Sequence, residues 1–261
     1  MSRVSIHRFD LTGRVAVVTG AAGRMGTVVH VPALIKAGAT VYGIDLIDRG
    51  DKCSYHHVVA DATDENQVYN SFADIKRREG RLDILINNAV VDPALSDASK
   101  AFWMPPAEFP LQSWDQQLTV GLTSYFITMK AAMAFMGHVG SIINVASQLG
   151  VKAPRQREYP DGFYKSPAYT TLKHAVIGLT KAWAASMARY APGIRVNALC
   201  PASVDFGTFT PEFSKVLGNR NMLGRPIKPE EIAGPLVFLA SDASAGMTGS
   251  VLMVDGGEHA W

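Results

Sequence analysis

The stretch that most constrains this chain is Arg14-Val-Ala-Val-Val-Thr-Gly-Ala-Ala-Gly-Arg-Met-Gly26. Val15 to Val18 make a short apolar run bounded by turn residues, the pattern of a buried strand. Glycines follow at 20, 23 and 26, and Met25 to Gly38 then reads as a helix. Strand, glycine turn and helix in that order suit a phosphate. Glycine allows a tight turn and close backbone approach, and the helix start offers N–H groups and a positive dipole end. The spacing is G-x-x-G-x-x-G rather than G-x-G-x-x-G, so the motif needs support from the rest of the chain. Pro32 stands inside the expected helix, which is therefore kinked or irregular in its first turn.

Further strands alternate with helices. Thr40-Val-Tyr-Gly-Ile-Asp45 is a β-branched run ending in an acid, near where a dinucleotide fold places the carboxylate that holds the adenosine ribose. Tyr55 to Ala60 is a third strand, followed by a helix whose first turn contains Asp64 and Glu65 and which runs to about Arg78. Leu82 to Asn87 is a fourth. Residues 90–111 carry prolines and aromatics without a period, as long functional loops do. Ser113 reads as the N-cap of a helix from about Trp114 to Met136, with apolar Leu118, Phe126, Met129 and Met133.

Ser141 to Ser147 is a fifth strand, and residues 150–167 are a second irregular stretch. Ala168 to Tyr190 is helical and Ile194 to Leu199 a sixth strand. Residues 201–226 read as a mobile flap with a short helix. Pro229-Glu-Glu-Ile opens the last helix, and Gly249 to Val254 is the seventh strand. This alternation predicts one α/β domain over 1–261: a doubly wound, mostly parallel seven-stranded sheet with helices on both faces.

Composition removes several classes of function. The chain of 261 residues is 48% hydrophobic and 18% charged, enough to bury a sizeable core. A formal net charge of +2 leaves no basic stripe for nucleic acid. Met1 to Asp10 contains no apolar leader segment and no long uninterrupted apolar span follows, so no membrane partner is expected. Cys53 and Cys200 lie far apart without metal-type spacing. A reduced, cytoplasmic protein without a metal is the expectation.

A second cluster carries chemistry. Tyr169-Thr-Thr-Leu-Lys173 puts a phenol and an ammonium on one helix face. The cation favours phenolate, making Tyr169 an acid/base candidate near neutral pH. Ser147 ends the fifth strand, at the sheet edge where ligands bind, and its hydroxyl is placed to hold a substrate oxygen.

With these pieces the sequence resembles the short-chain dehydrogenase/reductase family over nearly its whole length. The matching residues are Thr19-Gly20 to Gly26, Asp61, Asn87-Asn88-Ala89, Ser147, Tyr169 with Lys173, Ile194-Arg-Val-Asn197, Pro201, Leu223-Gly-Arg-Pro226, Pro229 to Ile232, Phe238 to Asp242, Thr248-Gly249 and Val254-Asp-Gly-Gly257. The resemblance implies hydride transfer between a nicotinamide cofactor and a secondary alcohol or ketone. It implies Tyr169 as the acid/base, Lys173 on the nicotinamide ribose and lowering the phenol's pKa, and Ser147 on the substrate oxygen.

Gly20, Gly23, Arg24, Met25, Asp45, Leu46, Asp61, Ala62, Asn88 and Val204 complete the expected cofactor set. Asp45 would bind the ribose hydroxyls and repel a 2′-phosphate. Leu46 offers that phosphate no cation, so NAD is expected over NADP. The family commonly forms homodimers or homotetramers, expected here through helices 114–136 and 168–190 and the last strand.

The chain departs from the family pattern at four places. Arg24 replaces a glycine, giving a spacing closer to the sugar-nucleotide branch. N-N-A-G has become Asn87-Asn-Ala-Val90. Pro201-Ala202 replaces P-G, with Phe206 where threonine is common and Thr208 nearby. Gly121 replaces the helix asparagine that bends the helix and helps hold a relay water. If Gly121 supplies the bend through its backbone, Gly121→Asn should leave activity roughly unchanged.

The long loops after the fourth and fifth strands should rim the substrate mouth. Phe102, Trp103 and Phe109 are expected as an apolar wall, with Arg155 and Arg157 meeting an anionic group. The run Gly150 to Arg155 is similar to dehydrogenases of bacterial sugar and surface-glycan pathways, which favours a polyhydroxylated or anionic substrate. Two other readings stand beside this one. An NAD-binding regulatory or scaffold protein of weak activity is suggested by Val90 and Gly121. A sugar-nucleotide epimerase or dehydratase is suggested by the glycine spacing, although the chain stops shortly after its seventh strand.

Overall fold

The computed structural model describes residues 6–50, 53–92 and 97–261. Its strands are β1 (Val15–Thr19), β2 (Thr40–Asp45), β3 (His56–Val59), β4 (Ile84–Asn87), β5 (Gly140–Val145), β6 (Ile194–Pro201) and β7 (Val251–Val254). Its helices are α1 (Val31–Lys36), α2 (Glu65–Glu79), α3 (Leu111–Leu118), α4 (Ser124–Phe135), α5 (Pro167–Tyr190), α6 (Pro211–Gly218) and α7 (Pro229–Ala240). The strands form one sheet in the order β3-β2-β1-β4-β5-β6-β7. Every pairing between them is parallel. The order reverses between β1 and β4, which opens a ligand crevice at the carboxyl ends of those strands.

Alternation along β1 shows how both faces are covered. Ala16 and Val18 pack with Leu34, Ile232, Leu236 and Leu239 of α1 and α7. Val15 and Val17 pack with Val68, Phe72, Ile75 and Met129 of α2 and α4. Asn87 and Asn144 are in register between β4 and β5. Asn87 donates to Asn144 Oδ1 (2.8 Å), Thr128 of α4 donates to Asn87 Oδ1 (2.6 Å), and Asn144 donates to Thr180 of α5 (3.0 Å). This buried chain fixes two strand ends against the helix that carries Tyr169.

One expectation about helices is settled and another is corrected. Of the two readings for Pro32, the irregular first turn is the one present: a π turn over Gly26–His30 precedes α1 and the Val31 N–H bonds Gly26 O. Pro32 is thereby the second residue of α1, directly after the π turn. The long helix starts at Leu111 behind Pro110 rather than at Trp114, and Ser113 is buried inside it. A second π turn, Thr119–Thr123, separates α3 from α4 and contains Gly121. By length and composition Leu111–Phe135 is apolar enough to cross a membrane. Here its Tyr125, Thr128, Met129 and Ala132 are buried within the protein.

The loops hold short turns that no period announced, at Asp97–Phe102, Pro106–Glu108 and Gln156–Glu158. The expected short helix of the flap is α6.

Candidate active site

The glycine turn is built on steric necessity at two positions. Gly20 has φ +64°, and a Cβ there would stand 2.8 Å from Ala89 Cα. A Cβ on Gly26 would stand 2.6 Å from Gly20 O. Gly23 is less constrained, with 3.2 Å to Gly20 O. Thr19 Oγ1 accepts from the Asn88 and Ala89 N–H groups (3.1 and 3.2 Å). Asn88 Nδ2 donates to Thr19 O and Gly20 O (3.2 and 3.1 Å). Asn88 therefore locks the turn from beneath. Helical backbone begins at Arg24 and Met25, whose first-turn N–H groups have no acceptor within the helix. Met25 turns its side chain to the core, leaving its backbone to face the turn.

Arg24 has a specific destination. Its guanidinium lies 5.5 Å over the Phe206 ring, and Nη1 is 3.5 Å from Thr208 Oγ1. It spans from the glycine turn to the flap, reaching Phe206, which stands where threonine is common, and the nearby Thr208.

Asp45 accepts from the Ala22 N–H through Oδ2 (2.9 Å) and from the Ile47 N–H through Oδ1 (3.1 Å). Arg49, which sequence reading passed over, donates to Ala22 O (2.5 Å). The cation missing at Leu46 is thus supplied three residues later. Leu46, Asp61 and Thr63 line a groove of about 700 Å³ with Leu111, Gln112 and Thr119. Asp61 Oδ1 is engaged by the Thr63 N–H and hydroxyl (2.8 and 2.7 Å). Ala62 lies between them. Val204 is pinned by a parallel bridge to Ile227 at the base of the flap. A glycine cradle, a strand-end carboxylate and a flanking groove together fit an adenine dinucleotide.

Ser147 follows β5, and its Oγ accepts from the Leu149 N–H (3.1 Å). Gly150 then lets α5 approach: a Cβ there would be 2.6 Å from Lys173 O. That approach brings the Ser147 hydroxyl near the Tyr169 phenol, where it favours the phenolate. Lys173 Nζ donates to Val145 O (2.8 Å) and lies 5.6 Å from the Tyr169 ring centre. All three side chains are buried.

Their protonation differs from the expectation. Burial first, and then the Asp92 carboxylate, push the Tyr169 phenol well above its usual range, while the Ser147 hydroxyl pulls it down. Burial also lowers Lys173 to about 8. The phenol is held protonated, because desolvation of phenolate outweighs the help the Ser147 hydroxyl gives.

The cation lying against Tyr169 is Lys165, its Nζ 4.0 Å from the ring centre and 2.6 Å from Asp92 Oδ1. Nothing in the sequence marked it, since both residues sit in loops without a period. Arg155 instead pairs with Glu158 at 3.7 Å on an exposed surface, and Arg157 is exposed. Trp103 is buried against Tyr159 and Phe163, its ring 5.0 Å from Lys165 Nζ. Arg220, also unanticipated, is buried on Tyr159 and paired with Glu158, fastening the second loop to the flap.

A family model described as enoyl-(acyl carrier protein) reductase matches residues 29–259. The chain belongs to the short-chain dehydrogenase/reductase family. A 2-dehydro-3-deoxy-D-gluconate 5-dehydrogenase of Bacillus subtilis is 34% identical, covering 95% of this chain and 96% of its own. A D-threitol dehydrogenase of Mycolicibacterium smegmatis is 31% identical over 95% and 94%. A gluconate 5-dehydrogenase from Burkholderia cenocepacia, solved with NADP and tartrate, superposes with a TM-score of 0.80 at 28% identity, covering 97% and 98%. This short-chain dehydrogenase/reductase acts on CH–OH groups and uses a nicotinamide cofactor.

Proposed function

We propose that the enzyme interconverts a secondary alcohol and a ketone on a polyhydroxylated small molecule, with NAD as its preferred cofactor. The observation that carries the reading is the buried trio at the open end of the sheet, with Lys173 Nζ 5.6 Å from the Tyr169 ring centre and the Ser147 hydroxyl acting on the same phenol. Ser147 holds the substrate oxygen, and Tyr169 takes its proton in oxidation or returns it in reduction. Lys173 and Asp45 are the residues that would hold the two riboses, and the first-turn amides of Arg24 and Met25 the pyrophosphate. When bound, the nicotinamide supplies the hydride acceptor or donor.

Polyhydroxylated substrates are supported by the gluconate and threitol dehydrogenases among the relatives. NAD preference rests on the Asp45 carboxylate at the end of β2, and Arg49 is the residue that opposes it. Absorbance assays with NAD and NADP across polyols, aldonates and ketones test the reading. Turnover with a polyol, abolished in Tyr169→Phe with cofactor binding kept, supports it. Binding without turnover on every class ends it. Asp45→Ala with Leu46→Arg should move preference toward NADP by more than about 10-fold.

A homo-oligomer is also proposed. Phe126 on α4 and Trp183 on α5 meet edge to face at 5.6 Å with Phe126 half exposed, and Tyr190 is exposed at the end of α5. Light scattering of the purified enzyme decides this. The free thiols of Cys53 and Cys200 suit a reducing, cytoplasmic location, which fractionation tests.

A further inference from the structure

Asp92 follows β4 and Lys165 precedes α5, so two loops at the open end of the sheet bring opposite charges together beside the catalytic phenol. Lys165 Nζ stands 2.6 Å from Asp92 Oδ1, 4.0 Å from the Tyr169 ring centre and 5.0 Å from that of Trp103. The lysine side chain is only 9% exposed, whereas that of Asp92 is 38% exposed. The pair is buried at its cationic end and open at its anionic end.

Two glutamines hold it ready. Gln156 accepts from the Lys165 N–H (2.9 Å) and donates to Lys165 O (3.1 Å). Gln117 donates to Val91 O (2.9 Å) and accepts from Ser166 Oγ, joining the residues next to Asp92 and Lys165. Stability alone gives little reason to keep such a pair, because an ion pair with its ammonium buried seldom outperforms an apolar replacement. Hydride transfer by Ser147, Tyr169 and Lys173 makes no use of it either.

The chemistry of the pair selects a partner. A hydroxyl group both accepts from an ammonium and donates to a carboxylate, so it satisfies both members at once. A hydrocarbon laid over the pair would strip water from two charges and return nothing. A second anion there would meet the Asp92 carboxylate. We propose that Asp92 and Lys165 form a hydroxyl-reading subsite that selects substrates with a second, neutral hydroxyl next to the reacting carbinol. The proposal rests on the polyol reading above and sharpens it, placing specificity in an ion pair rather than in Arg155 and Arg157.

The test compares kcat/KM for a vicinal cyclohexanediol and for cyclohexanol, each at the pH optimum of the variant used. The wild-type enzyme should favour the diol by ~100-fold or more, since a site built to bond a hydroxyl discriminates strongly against its absence. Lys165→Met and Asp92→Ala should each cut that ratio by at least ~10-fold. Asp92→Asn, which keeps the side-chain shape, serves if either variant fails to fold. A ratio unchanged in all folded variants, or diol and mono-alcohol falling equally, overturns the subsite while leaving the polyol reading intact. A wild-type enzyme that favours cyclohexanol overturns both.

Discussion

Val90 and Leu172 together occupy the space that a side chain on Gly121 would need. A Cβ at position 121 would lie 3.2 Å from Val90 Cγ2 and 3.0 Å from Leu172 Cδ1. Two departures from the family pattern, valine for glycine at 90 and glycine for asparagine at 121, therefore meet in one packing contact. The bend the asparagine would have marked is present as the π turn Thr119–Thr123. The family pattern alone suggests that Gly121→Asn is neutral, but the packing says otherwise. It should destabilise the fold by about 1–3 kcal/mol, as over-packed cores do. It should also lower turnover, because Leu172 adjoins Lys173. Adding Val90→Gly should recover part of the loss, since the Leu172 contact remains. Urea denaturation of the two single variants and the double variant checks this, and full stability in Gly121→Asn alone would refute it.

His30 links the glycine turn to acid stability. It is fully buried, and the Asn88 amide, already donating to Thr19 O and Gly20 O, can only accept from His30 Nε2 (3.1 Å). Nε2 therefore carries the proton, and Nδ1 is buried without a partner. Burial lowers the pKa from 6.5 to about 4, so the unfolded chain binds the proton more readily. Stability from this group is complete above pH 6.5 and is lost as the pH falls from there to about 4. The loss should reach about 3 kcal/mol. Melting temperature against pH should show it, and His30→Gln should flatten the curve across that window.

Tyr169 sets the direction of the activity profile. Burial and Asp92, with smaller contributions from Tyr125 and Tyr159, raise the phenol, while Ser147 lowers it. Alcohol oxidation needs the phenolate and should climb as the pH rises above neutrality. Ketone reduction needs the phenol and should fade through the same range. Asp92→Asn removes the nearby anion and should move both limbs to lower pH. Steady-state profiles in the two directions test this, and limbs that move upward would show that Asp92 acts through something other than its charge. Tyr169→Phe should lower kcat by ~10²–10⁴-fold.

What the sequence made legible follows from how each feature is encoded. The bounds Thr40–Asp45 were readable because a β-branched run ends at a turn. Ser147, Tyr169 and Lys173 were readable because helical spacing and a strand end place them, and buried strands leave little freedom. Ser113 misled because Pro110, three residues earlier, suits a helix start equally well and took that role. Lys165 and Asp92 were invisible because their contact joins loops 73 residues apart, where neither period nor spacing carries information. The same holds for Arg24, whose place in the motif was plain and whose direction was not.

Arg24 makes the last prediction. Its guanidinium reaches Phe206 and Thr208, across the mouth of the turn where a pyrophosphate would lie. Glycine there would leave flap and turn unconnected, while arginine ties them and adds a positive charge beside the place a phosphate would take. Removing the tie should speed cofactor escape. Arg24→Ala should weaken cofactor binding by ~2- to 10-fold, in line with a cation resting on an aromatic face. Phe206→Leu should weaken it by a similar factor. Because each change breaks the same contact, the double variant should be little worse than either single one, whereas independent sites would add within about 0.3–0.5 kcal/mol. Fluorescence titration of the reduced cofactor measures all four proteins. Full additivity would show that the contact between turn and flap does not hold the cofactor.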